Sequence, residues 1–155
     1  MIMNNQSEFF RAGVGIVIVN ANGSLLALRR ADLLEEAWQL PQGGLGPGEE
    51  PETAMWRELE EETGLTQGNC ELVAESEDWL AYELPQPFRS SKIGRGQTQR
   101  WYLCRFTGQD SDIAPDGREF NDWKWVQIDQ LVTDVVPFRR SVYQSIAAEF
   151  ADYLS

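Results

Sequence analysis

Residues 43–65 read GGLGPGEEPETAMWRELEEETGL, and this stretch constrains the chain more than any other. Glycine and proline dominate its first part, so residues 41–50 are expected to be loop. Pro51 suits the first turn of a helix and Gly64 its end. That helix carries Glu58, Glu60, Glu61 and Glu62 with Arg57 as the one basic residue among them. Like charges three and four positions apart weaken a helix, so a run of this kind calls for a positive partner.

Facing decides what the partner is. At about 100° per residue, Ala54, Met55, Glu58, Leu59, Glu61 and Glu62 share one arc, and Glu52, Thr53, Trp56 and Glu60 take the other. Ala54, Met55 and Leu59 should face the protein body, so three carboxylates sit on or beside the inward stripe. A solvated charged face would segregate the other way. Carboxylates at i, i+3 and i+4 suit a hard divalent cation with oxygen ligands, Mg²⁺ or Mn²⁺. Arg57 lies one position off the cluster, where it can pair with Glu61 or with an acid of the preceding loop such as Glu49, and it reads as an orienter.

The remaining composition narrows the chemistry. The chain has no histidine, which excludes His-based triads and His-ligated zinc. Its net charge of −12 disfavours nonspecific binding to nucleic acid backbones, DNA included. A polyanionic substrate must therefore be held by local positive groups. Arg89, Lys92, Arg95 and Arg100 fall close together among prolines and glycines, and read as a mobile basic loop or as incidental solvated charge. Cys70 and Cys104 lack metal-ligand spacing and read as buried or half-buried free thiols. No apolar stretch approaches the length of a spanning helix, and the N-terminus lacks a signal-peptide pattern, so a cytoplasmic protein with no membrane partner is expected.

Along the chain, residues 14–19 and 25–29 read as strands joined at Asn22-Gly23, a hairpin signal. Two β-rich runs follow the acidic helix, one over residues 72–82 and one in QTQRWYLCRFTG, with FNDWKWVQI as a further strand. Residues 139–154 read as a helix, since Tyr143, Ile146, Ala147, Phe150 and Leu154 recur on one face. One domain over residues 8–155 is expected, with residues 1–7 a disordered N-terminus. The mixture indicates an α+β chain, an α/β/α sandwich around a mixed sheet.

Gly43, Glu49 and the run from Arg57 through Leu65 fill every fixed position of the Nudix box, and the chain resembles the Nudix hydrolases. These cleave nucleoside diphosphates linked to another moiety, through a catalytic loop-helix-loop. The segments FRAGVGIVIVN, AWQLPQGG, WLAYELP, QRWYLCRFTG, EFNDWKWV and VVPFRRSVY are similar to the subgroup of asymmetric diadenosine tetraphosphate hydrolases and bacterial RNA pyrophosphohydrolases. The resemblance implies that Glu58, Glu61 and Glu62 bind the catalytic metal, more than one ion during turnover, joined by Glu119 from across the cleft. Gly43 and Gly44 let backbone approach the metal and phosphate where a side chain would fill the space.

It also implies Arg11 near the nucleobase, Arg30 and Tyr82 near the phosphates, and Phe138 stacked on the base; Arg95 of the basic segment and Arg139 beside Phe138 are counted as further substrate contacts. Each has a plainer rival: Arg30 pairing with Asp32 or Glu35, Tyr82 packing on the sheet, Phe138 starting the last helix as a core residue. Without histidine the proton acceptor must be a carboxylate or metal-bound hydroxide, and Glu62 and Glu119 are the candidates, with Glu61 counted among the catalytic residues. The segment between Pro85 and Gln99 is shorter than the subgroup leads one to expect. Two substrates follow, dinucleoside polyphosphates such as diadenosine tetraphosphate, or triphosphorylated RNA 5′ ends. The acidic balance leans slightly to the first. A nucleotide-sensing module without catalysis is disfavoured because the three box glutamates are all present.

Overall fold

The structure is a computed structural model, and it describes residues 9–32 and 37–154. The expected disorder of residues 1–7 and the alternative pairing of Arg30 with Glu35 lie outside the described residues.

The sheet is organised by β1 (Phe10–Val19) and β7 (Gly96–Phe106), which run parallel, Phe10 opposite Gly96 through Val19 opposite Arg105. Around this pair the strands are antiparallel. On one side β2 (Leu25–Arg30) meets β1, β3 (Trp38–Gln39) and β8 (Phe120–Val126), while β4 (Gln42–Gly44) joins β1 directly. On the other side β5 (Cys70–Glu75) and β6 (Leu80–Glu83) both pair with β7. The mixed sheet expected from the sequence is present.

Both faces of this sheet are covered, which explains why β1 is a nearly unbroken apolar run instead of an alternating one. Val14, Ile16 and Ile18 point to one core with Ala54, Met55 and Leu59 of α1 (Pro51–Thr63). Val17 and Val19 point to the other with Leu131 of α2 (Ile128–Asp134) and with Val142, Tyr143 and Ile146 of α3 (Arg140–Glu149). This is the α/β/α layering. Gly15 is needed where the two strands press together, because a Cβ there would overlap the ring of Trp101.

Pro51 is the first residue of α1, and Gly64 ends it with φ of 78° and its N–H on the Glu60 carbonyl. Other expectations need correction. Residues 41–50 are not all loop, since β4 adds to the sheet beside β1. The β-rich run over 72–82 is two strands, with Ser76 buried between them and its hydroxyl accepting from Trp101 N–H. The terminal helix is shorter: single 3₁₀ turns at Pro137–Arg139 and Ala151–Tyr153 flank α3. The short helix α2 carried too few residues to show a period. Cys70 and Cys104 are buried free thiols, and burial pushes both up to about 12. Among the described residues no helix is long and apolar enough to cross a membrane.

Candidate functional site

The site begins where β4 hands the chain to the loop before α1. Gly46 N–H donates to Glu49 Oε1 at 2.8 Å, which bends Glu49 back toward the helix. Arg57 grips that carboxylate with both arms of its fork, Nε to Oε2 and Nη2 to Oε1, each at 2.8 Å. Nη2 also donates to the Gly44 carbonyl at 2.9 Å, so one guanidinium ties loop to helix. The fork holds the Glu49 carboxyl down to about 2. The expected orienting pair is therefore present, and Arg57 does more: its Nη1 reaches Glu58 at 2.8 Å and Glu61 at 3.3 Å.

The three helix carboxylates have distinct surroundings. Glu61 sits at the rim with its side chain 57% exposed. Glu58 lies under Gly43, where any Cβ would overlap its carboxyl group, so the glycine is required by the acid beneath it. Glu62 is only 2% exposed; Oε2 accepts from Gln42 N–H at 2.9 Å and Oε1 is buried with no hydrogen-bond partner. Burial, then Glu119, then Glu58 push the Glu62 carboxyl well above the ordinary carboxylate value. Glu58 and Glu119 are raised for the same first reason, desolvation, and Glu119 adds to the rise at Glu58. Four acids, one with an orphaned buried oxygen, are the donor set a hard divalent cation requires. In this arrangement Arg57 Nη1 engages Glu58 and Glu61, and among the described residues no three acids close on one point.

Glu119 comes from another part of the sheet. A register shift between Arg29 and Arg30 sets Arg30 opposite Phe120, and Ala31 N–H bonds the Glu119 carbonyl at 2.9 Å. Arg30 and Glu119 thus become neighbours across the β2–β8 pair. Both line a cavity of about 300 Å³ with Trp38, Gln39, Gln42, Gln97, Phe138 and Arg139.

The other expected substrate residues divide. Arg30 forms the plain pair with Asp32, Nε to Oδ1 at 2.9 Å, and yet turns Nη1 to Gln39 Oε1 at 3.3 Å on the cavity wall. Arg139 donates Nη1 to the same Gln39 oxygen, and its guanidinium lies 5.5 Å from the Phe138 ring centre and 6.0 Å from that of Tyr82. Only 8% of Arg139 is exposed, and it has no carboxylate partner among the described residues. Its Nε is buried without a hydrogen-bond partner, so this guanidinium has a donor that an acceptor-rich ligand could take up. Tyr82 stacks on Phe138 at 5.8 Å, and its hydroxyl donates to Gln97 Oε1 at 2.9 Å, so it supports the cavity from beneath. Arg11 lies over Gly44, outside the cavity lining.

Arg95 also lies outside that lining, paired with Glu83. The expected basic loop is in part a hairpin turn between β6 and β7 and in part strand. Arg89 Nε donates to the Leu84 carbonyl at 2.6 Å, and Arg100 lies within β7 beside Glu75. Charge counted along the sequence is largely spent in the fold.

Sequence reasoning missed the glutamines. Gln39 accepts from both arginines, and Gln99 Nε2 donates to Gln42 Oε1 at 2.9 Å and to Gln97 Oε1 at 3.2 Å. A signal existed: in QTQ the two amides are alternate residues of one strand and must share a face. Phe88, also missed, lines the cavity beside Phe138.

A NUDIX domain profile matches residues 9–146. A protein of Rhodospirillum rubrum named RNA pyrophosphohydrolase is 48% identical over 149 residues, covering 93% of this chain and 88% of its own. One of Rickettsia conorii with the same name is 42% identical over 147 residues, covering 91% and 89%. Among solved structures, a C. elegans Ap4A hydrolase binary complex aligns with a TM-score of 0.69 at 20% identity, covering 92% of this chain and 98% of that one. The E. coli dihydroneopterin triphosphate pyrophosphohydrolase aligns at 0.73 with 17% identity, covering 92% and 99%. At these identities the structures show a shared fold.

Proposed function

The chain belongs to the NUDIX family, and from that premise we propose that this hydrolase of phosphoanhydride bonds acts on the 5′-triphosphate end of RNA, replacing pyrophosphate with water. The observation that carries the reading is the shared wall at Glu119. Glu119 lines a cavity with two guanidiniums and an aromatic ring and is close enough for its charge to raise the Glu58 and Glu62 carboxyls, while Gln42 on the same lining donates its N–H to Glu62. Such a cavity suits a nucleotide, held by cations and a ring while its phosphates meet the acids. Relatives matched over most of their length bear the RNA name, which supports the RNA end over the dinucleotide.

A second reading, hydrolysis of dinucleoside polyphosphates, is favoured by the net charge of −12, since an RNA body would meet an acidic surface. Only terminal nucleotides need enter this cavity, so the surface charge does not decide the matter. A cytosolic location is proposed on the two free thiols.

Glu58, Glu61, Glu62 and Glu119, with the Gly43 backbone close by, would hold the divalent ions, Mg²⁺ or Mn²⁺ and more than one. The chemistry such ions would supply there is to acidify a water and to offset charge on the leaving pyrophosphate. The remaining work falls to the protein. Arg30 and Arg139 hold phosphate or base acceptors at the cavity wall, and Gln39 bridges the two cations by accepting from both on one oxygen. Phe138 offers a ring face. Glu62, whose Oε1 is desolvated and unpaired, is poised to accept the proton of the attacking water, with Glu119 as the alternative acceptor. Parallel kcat/KM measurements on triphosphorylated RNA and diadenosine tetraphosphate test the choice. Higher efficiency on the RNA end is expected, and the opposite order would transfer the assignment to the dinucleotide.

A further inference from the structure

Residues 115–120 read PDGREF, and they build the turn that carries Glu119 into β8. Asp116 Oδ1 accepts from three successive backbone N–H groups, Arg118 at 2.9 Å and Glu119 and Phe120 at 3.0 Å. Gly117 supplies the positive φ of 78° that folds the chain around this carboxylate, and its own N–H donates to the Phe120 carbonyl at 2.8 Å. Proline, aspartate and glycine in this order are turn chemistry, and here the aspartate oxygen is its centre.

Glu119 depends on this turn for its place. Residues 116–119 are exposed, so core packing does not fix them as it fixes Glu62. What holds Glu119 is its backbone: the N–H donates to Asp116, and the carbonyl accepts from Ala31 N–H at 2.9 Å just past the end of β2. The first anchor is a side chain and the second a strand contact. Phe120, the next residue, is fully buried and keeps the turn from sliding along the sheet.

An aspartate at this position is otherwise unfavourable. Its charge adds to the causes that raise the Glu62 carboxyl, after burial, Glu119 and Glu58. A further acid beside a cluster that already repels itself needs a compensating use. The three N–H groups supply one, since a carboxylate oxygen accepts them more strongly than a neutral acceptor does.

We propose that Asp116 is a positioning residue for the metal site: its carboxylate sets the backbone from which Glu119 joins Glu58 and Glu62. This rests on the reading of Glu119 as a metal ligand and adds the residue through which the turn acts on it. Groups that orient a ligand in this way govern metal affinity by roughly 10- to 100-fold.

Equilibrium binding of Mn²⁺ to the full chain, followed by electron paramagnetic resonance without nucleotide, tests this apart from turnover. Asp116→Ala should weaken Mn²⁺ by roughly 10- to 100-fold. Asp116→Asn keeps the acceptor oxygen and drops the charge, so it should stay within a few-fold of wild type. In a Glu119→Gln background Asp116→Ala should add no further loss, since the two residues act as a unit. Excess Mn²⁺ should restore kcat of Asp116→Ala, with KM unchanged throughout. Gly117→Ala strains the left-handed residue of the same turn while keeping every charge, so it should weaken Mn²⁺ in the same direction even where Asp116→Ala fails to fold. Equal losses for Asp116→Asn and Asp116→Ala would show that the charge itself attracts the ion and would overturn the positioning role. A loss that persists in the Glu119→Gln background, or no loss at all, would overturn it as well. Unchanged Mn²⁺ affinity in Glu119→Gln alone would overturn the metal role of Glu119 and this inference together. Preference for diadenosine tetraphosphate over RNA ends would overturn the proposed substrate and leave the role of Asp116 standing.

Discussion

At the acidic end of the site nearly every group comes from one stretch of chain, residues 42–63, with Glu119 the one arrival from elsewhere. At the aromatic end Arg30, Gln39, Tyr82, Phe88 and Arg139 arrive from β2, β3, β6, the β6–β7 turn and the turn before α3. The first end is held by local geometry: a helix fixes spacing, a glycine clears the acid beneath it, and one arginine fork ties loop to helix. The second is held by tertiary contacts between rings, amides and guanidiniums. Damage to the acidic end should accordingly stop chemistry and leave capture, and damage to the aromatic end should do the reverse.

The largest effect is expected at Glu62. Glu62→Gln should lower kcat by roughly 10²- to 10⁴-fold, the range for losing a general base, with little change in KM. In excess chelator the same variant should melt above wild type, since it removes a buried charge whose Oε1 has no partner. The pH dependence follows from the raised carboxyls. An acid with a folded pKa above its unfolded value stabilises the fold below about 4.5 and loses that contribution as pH climbs through the raised value. Chelated wild type should therefore lose stability from pH 4.5 upward at Glu58, Glu62 and Glu119, and the variant should show a shallower loss. Glu49 acts oppositely, its contribution present above 4.5 and lost as pH falls toward 2. Thermal melts across pH with and without chelator check both slopes. A Glu62→Gln variant with wild-type kcat would break the comparison at its strongest point.

Arg57 comes next. Lysine keeps the charge but cannot fork onto Glu49 while also reaching the Gly44 carbonyl, so Arg57→Lys should cost about 10- to 100-fold in Mn²⁺ affinity, the scale for a group that orients metal ligands. Electron paramagnetic resonance titration of Mn²⁺ measures it directly. Nucleotide binding in the cavity should be unchanged, which sharpens the division between the two ends.

At the aromatic end, Phe138→Ala should remove about 1–3 kcal/mol of stacking, read as a raised KM, while kcat and Mn²⁺ affinity hold. A core phenylalanine would instead cost on the order of 3–5 kcal/mol of stability. Phe138 is half-buried and packed on Tyr82 and Phe88, so a modest fall in melting temperature is expected. A steep fall with normal KM per folded molecule would assign the ring to packing.

The same contrast explains what was legible in advance. Helix α1, its caps, the inward carboxylates and the Arg57–Glu49 pair could be read because a helix converts sequence spacing into spatial spacing. Glu119 could be placed only through the family resemblance, since nothing local says that a bulge at Arg30 brings it to the acids. Gln39 was passed over because an amide carries no charge to flag it; its importance lies in accepting from two arginines more than a hundred residues apart at the extreme. The choice between a basic loop and incidental charge could not be read in advance for a related reason. Charge along a sequence does not show which acids a strand pairing will set beside it, and Glu75 and Glu83 on neighbouring strands take up Arg100 and Arg95.

The smallest effect is therefore expected where the sequence alone suggested a large one. If Arg89, Lys92 and Arg95 formed a free basic clamp, neutralising all three would weaken longer polyphosphates more than a dinucleoside diphosphate, because only the longer chain would reach that charge. In the fold Arg89 is bound to the Leu84 carbonyl and Arg95 to Glu83, which leaves Lys92 as the exposed cation of the three. Exposed pairs of this kind contribute up to about 1 kcal/mol, and one solvated lysine contributes mainly a salt-dependent change in association rate. The triple neutralisation should thus change KM for triphosphorylated RNA by only a few-fold, with the difference vanishing at high salt. It should also lower stability slightly by releasing Glu83. Steady-state kinetics at two ionic strengths measure this, and a large loss confined to longer phosphate chains and persisting in salt would show the turn to be a third working region, on a par with the two ends.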